Sequence, residues 1–180
     1  MRNELTGLKL RLWPCLTLGL VLLALGQVLL TPCLTLSAEG RRLVVCEARG
    51  TELTIDFIHS VQKTPVEEKL RVSAAGSELE LMETRYHSFG VGLPFLASEG
   101  EFRQEGNDFV ITGMDRRYRE LALRTGVGTE LTVTVRRGSL EKVFELYRAY
   151  GPGTLIEAKL LPLYEIIIKG LCQQGKEWVI

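Results

Sequence analysis

The chain has 180 residues, enough for one domain with its own core, and 46% of them are hydrophobic, which excludes a disordered polypeptide. Lys and Arg number 22 against 22 Asp and Glu, so no net field draws the protein to nucleic acid. Two histidines and four cysteines without a CxxC spacing give no zinc motif, and neither a metal nor a cofactor is expected.

In chain order, Arg2, Lys9 and Arg11 precede a run without any charged residue, 12–38, whose apolar centre is Trp13–Leu30. A membrane-spanning helix takes about 20 such residues. The pattern therefore predicts a short cytoplasmic N-terminus at 1–11, a transmembrane helix or signal anchor at 12–36, and an extracytoplasmic domain at 39–180. Basic residues ahead of the run favour the cytoplasmic side for the N-terminus. A cleaved signal peptide is the alternative, but its apolar region is usually about 7–15 residues. Leu36-Ser37-Ala38 also puts leucine where a small residue is needed. Cys15 and Cys33 fall in the membrane segment as small apolar groups. Cys46 and Cys172 lie outside it, where disulfides form, and are the candidate pair joining the first and last strands.

Beyond residue 38, period-two alternation dominates. Arg42–Cys46 reads as a short strand. Thr51–His59 follows, with Leu53, Ile55 and Phe57 on one face and Glu52, Thr54 and Asp56 on the other. Val66–Val72 alternates likewise, and Ser73–Gly76 turns the chain into Glu78–His87. Further strands are expected at Phe109–Thr112, Leu121–Arg124, Leu131–Arg136 and Tyr164–Lys169. Residues 140–151, LEKVFELYRAYG, fit a capped helix or a strand that turns at Gly151-Pro152-Gly153 into Leu155–Leu160. About seven to nine short strands point to a mainly β domain, an antiparallel β-sandwich or flattened barrel.

Two residues break the apolar faces. His59 continues the 53–55–57 face, and Glu68 falls within the 66–70–72 face. In a hairpin turning through Ser60–Pro65, both would converge at one rim of the core. Buried ionisable groups are costly unless paired, so the placement suggests either mutual satisfaction or a polar site. Glu83 continues the Leu79–Leu81 face unless a bulge turns it outward. The second distinctive stretch, YHSFGVGLP at 86–94, offers Gly90 and Gly92 for close backbone approach and Pro94 at its exit. It lacks the third glycine and the strand–turn–helix setting of a nucleotide loop.

Catalysis finds little support. Ser60 and Lys63 match S-x-x-K, but that chemistry needs the serine at a helix start, and neither S-D-N nor K-T-G accompanies it. His59 and Ser60, adjacent in a strand, would point to opposite faces. The ligand or partner candidates are His59, Ser60, Lys63, Pro65, Glu68, Tyr86, Ser88, Gly90, Gly92 and Pro94, and no residue is expected to be catalytic. The alternatives are an envelope hydrolase using Ser60 or His59, and a purely structural subunit of a membrane complex.

HSVQKTPVEE (59–68) and YHSFGVGLP (86–94), in this order behind a hydrophobic segment, resemble the motifs of the bacterial domain of unknown function 1850. His59, Ser60, Pro65, Glu68, Gly90, Gly92 and Pro94 fall on its characteristic positions. Where many relatives read G-A-G-L-P, this chain has Gly90-Val91-Gly92. Members are often encoded beside tripartite ATP-independent periplasmic (TRAP) transporters of the TAXI subtype. The resemblance thus implies an accessory at the outer face of the membrane, touching a TRAP-type permease or its solute-binding protein, and the apolar run makes it a single-pass protein of the bacterial plasma (inner) membrane.

Overall fold

Alternating strands and one long apolar run sort the chain into two sheets and a helix that stands apart from them. The computed structural model describes residues 4–87, 100–172 and 177–179, with side chains described for 14–87 and 100–170. Helix α1 (Glu4–Leu29) leads into β1 (Pro32–Ala38), β2 (Arg41–Cys46), β3 (Glu52–Ile58), β4 (Pro65–Val72) and β5 (Leu79–Tyr86). Next come β6 (Glu101–Glu105), β7 (Asp108–Thr112), β8 (Arg117–Tyr118), β9 (Glu120–Arg124), β10 (Thr132–Arg137) and β11 (Leu140–Glu145). The single helical turn α2 (Leu146–Ala149), β12 (Leu155–Pro162), α3 (Leu163–Cys172) and β13 (Glu177–Val179) complete the order.

A five-stranded sheet runs β13-β2-β1-β12-β9, and an eight-stranded sheet runs β11-β10-β3-β4-β5-β7-β6 with β8 paired to β5. All pairings are antiparallel except β13 with β2. The fold is mainly β, as expected. Among the described residues neither sheet closes on itself, which removes the barrel alternative, and the strands outnumber the seven to nine expected. Leu34, Leu36 and Ile156 from the smaller sheet share one hydrophobic core with Leu53, Ile55, Val66, Leu70 and Val133 from the larger. Burying each such aliphatic side chain contributes about 1.5–3 kcal/mol before conformational entropy is subtracted.

Two expectations need correcting. The helix predicted for 12–36 stops at Leu29, and Pro32–Ala38 is instead the buried central strand β1, paired on one side with β12 and on the other with β2. Pro32 has no N–H to continue a helix. The first turns of α1 also carry Glu4, Lys9 and Arg11. Among the described residues no helix is long and apolar enough to cross a membrane. The uncharged part of α1 is nonetheless apolar all round, with Leu16, Leu18, Leu20, Leu22, Leu23 and Leu25 all exposed. Second, 164–169 is not a strand but part of α3, which packs on β12 and against α1. Leu163, Ile166 and Gly170 are its less exposed side, at helical spacing. Its first N–H, from Leu163, donates to the Thr31 carbonyl at 2.9 Å and ties α3 to the link between α1 and β1. Of the two readings open for 140–151, the strand holds over Leu140–Glu145, and a four-residue helix, Leu146–Ala149, follows it.

A bulge decides which residues of β5 face the core. Lys69 pairs with Glu83 while Leu70 pairs with Leu81, so Met82 is the extra residue. The shift reverses the phase. Leu79 and Leu81 point inward before it, Thr84 and Tyr86 after it, and Glu83 turns outward to meet Lys69 Nζ at 3.0 Å.

Candidate functional site

The turn between β3 and β4 is built around one imidazole. His59 is 8% exposed and sits just past the last ladder pair, Ile58 opposite Pro65. Its N–H donates to the Thr64 carbonyl, and its own carbonyl accepts from Lys63 N–H, both at 2.9 Å. The backbone N–H groups of Val61 and Gln62 donate to His59 Nδ1 at 3.3 and 3.1 Å. A ring nitrogen that accepts carries no proton, so the neutral ring holds its proton on Nε2. The ring thus supplies the acceptor that the turn's amides would otherwise lack. Ser60, Val61, Gln62 and Lys63 face solvent, Val61 at 67% exposure, and Lys63 adopts the left-handed conformation with φ 55°. Pro65 opens β4, where a missing N–H is tolerated.

Glu68 lies deeper. It pairs with Ile55 on β3 and Thr84 on β5, and Thr84 pairs in turn with the fully buried Ile111. Burial pushes the Glu68 carboxyl above its ordinary 4.5, and the charge of Arg116 opposes that rise. Thr84 adds a buried hydroxyl with no hydrogen-bond partner among the described residues. His59 and Glu68 are both inward, but they do not meet at the rim. Glu68 is level with Ile55, four residues back along β3, or ~13 Å at ~3.3 Å per residue. The reason is register: a turn of 59–64 sets Pro65, not Glu68, opposite the end of β3.

Of the second motif, Tyr86 is buried with its ring centroid 5.7 Å from that of Phe109. His87 is exposed, its Nδ1 3.0 Å from Asp108 Oδ1. Ser88, Gly90, Gly92 and Pro94 lie outside the described residues. A cleft of about 400 Å³ opens beside the hairpin, lined by Asp56, Phe57, Ile58, Pro65, Val66 and Glu67, and by Arg85, Tyr86, Asp108, Glu130 and Thr132. Its walls hold four carboxylates against one guanidinium. Burial, and then the Glu67 carboxylate opposite, push Asp56 above its ordinary 3.8, with Lys69 working against them. Asp108 is held below the usual range, first by the His87 hydrogen bond. Sequence reasoning placed Asp56 on a solvent face and missed the cleft, because Asp108 on β7, Thr132 on β10 and Glu130 in the loop before β10 arrive from far along the chain.

The S-x-x-K residues do not have the helix-borne geometry of that motif. Ser60 and Lys63 sit on an exposed turn and not on a helix, and among the described residues no hydrogen bond joins Ser60 to His59. Among the described residues no three His, Cys, Asp or Glu side chains gather as metal ligands.

The cysteines also depart from expectation. Cys33, assigned by sequence to the membrane, is a buried residue of β1 directly opposite Cys46 on β2, with Sγ atoms 2.8 Å apart. Cys46 therefore faces Cys33. Cys172, the expected partner, ends α3, and its side chain lies outside the described residues.

The family model described as Domain of unknown function (DUF1850) matches residues 53–141. Residues 53–141 belong to this family. The DUF1850 match runs from β3 into β11 and contains the His59 turn, Glu68 and the 86–94 stretch. It leaves out β1, β2, β12 and β13, which make up the smaller sheet apart from β9. No curated protein and no solved structure matches the chain.

Proposed function

We propose that this DUF1850 protein is a membrane-anchored, extracytoplasmic binding or accessory domain, associated with a TAXI-type TRAP solute transporter. The observation that carries the reading is the 59–64 turn. Six residues connect strands that two would join, and a buried histidine orders them so that Val61, Gln62 and Lys63 stand out beside the acid-rich cleft. An ordered, exposed turn of this kind suits recognition, and its rigidity reduces the entropy lost when a partner docks. The anchor rests on α1, whose exposed leucines are stable only when covered, by lipid or by another protein's helices. Basic residues at 2, 9 and 11 favour a cytoplasmic N-terminus, which leaves the β-domain outside. Anchoring would also raise the local concentration of the domain at its partner.

The test is a detergent pull-down of tagged full-length protein from its native membrane, read by mass spectrometry. A TRAP-type permease or its solute-binding protein should co-purify, and Val61→Asp combined with Lys63→Glu should lose it while still reaching the membrane. Recovery of the protein alone, in a detergent that preserves known complexes, would overturn the proposal.

A further inference from the structure

We propose that Cys33 and Cys46 form a disulfide that closes the β1–β2 hairpin, with Cys46 as the sulfur that meets the oxidant. The inference rests on the hairpin alone and not on the transporter reading. Cys33 and Cys46 are register partners, and directly opposed residues in an antiparallel ladder have Cα atoms about 4.5–5.5 Å apart, inside the reach of a disulfide. Their sulfurs already touch at 2.8 Å. Neither side chain must leave its strand to react.

The two thiols are unequal. Cys33 is 0% exposed, whereas Cys46 is exposed and borders a cleft of about 240 Å³ whose wall includes Arg137 and Lys142. Arg137 Nη1 donates to the Cys46 carbonyl at 2.7 Å, which keeps a cation next to this residue. Glu141 lines the same cleft, so its wall sets two cations against one carboxylate, a net positive balance that suits an anionic disulfide such as oxidised glutathione. Burial, and then the neighbouring Cys46, push the Cys33 thiol up to about 12, so it is not the opening nucleophile. The Cys46 thiolate attacks one sulfur of the oxidant, the oxidant's S–S bond breaks, and the departing thiolate takes a proton from water. Cys33 then loses its proton to solvent and its sulfur attacks Cys46 Sγ. The mixed disulfide breaks and releases the second thiol. The pair gives up two electrons and two protons, and the oxidant receives them.

The experiment uses full-length protein in detergent with Cys15→Ser, oxidised glutathione as the probe, then alkylation, trypsin and mass spectrometry. Trypsin separates 12–41, which holds Cys33, from 43–49, which holds Cys46, and from 170–176, which holds Cys172. The expected result is a reducible link between 12–41 and 43–49, with both thiols lost together. Cys46→Ser, at an exposed position that leaves circular dichroism unchanged, should abolish the link and leave Cys33 unmodified. A link between 43–49 and 170–176, glutathione retained on Cys46, or two fully alkylated thiols would each overturn the proposal.

Discussion

Two hairpins, β1–β2 and β3–β4, reverse the chain by different means. The first does so in two residues, Glu39 and Gly40, both with positive φ (46° and 77°), the backbone that short primed turns require. The second takes residues 59–64 and recruits a side chain, His59, to satisfy its amides. The first also sits on a strand buried on both faces, whereas the second sits on strands with one charged, solvated face. A turn that only joins strands needs nothing beyond its own dihedrals. One that takes six residues and a buried imidazole also holds Val61, Gln62 and Lys63 out in solvent.

His59→Ala should give the largest effect, about 2–3 kcal/mol by urea unfolding, since two amides lose their acceptor and a cavity remains. A loss under ~0.5 kcal/mol would show that the ring does not hold the turn. Gly40→Ala should cost about 1–2 kcal/mol in the same assay, because a Cβ at this φ is strained. If it matched or exceeded His59→Ala, the contrast between a backbone turn and a side-chain turn would fail. Glu68→Gln sharpens the comparison through pH. Glu68 is raised above 4.5, so its stabilising contribution is full below that value and lost as pH rises through the folded pKa. Glu68→Gln should then exceed the wild type in unfolding free energy at neutral pH and converge with it in acid. Parallel curves would remove Glu68 from the buried set. Ser60→Ala should change stability by no more than ~0.5 kcal/mol, yet weaken partner recovery if the turn is the contact surface.

His59 and Glu68 were legible as inward because both fall on the apolar phase of their strands, and phase survives folding. Their separation was not, because it depends on how many residues the turn consumes. The bulge at Met82 was foreseeable only as a way to turn Glu83 outward, since nothing local marks the extra residue. β1 was invisible: a strand buried on both faces reads as one unbroken apolar run, here continuous with α1. Tyr164–Lys169 misled in the opposite sense. Its three isoleucines favour a strand, but packing on β12 and α1 decides for helix. The Cys33–Cys46 pairing followed from β1 and disappeared with it.

The position of β1 has a mechanical consequence. Any tension on α1 enters the domain through Thr31 and runs along β1, which is hydrogen-bonded on both sides, to β12 from Pro32 to Ser37 and to β2 from Cys33 to Ala38. Those bonds lie perpendicular to the strand. A pull along it loads both ladders in shear, so they must fail together and cannot be unzipped one rung at a time.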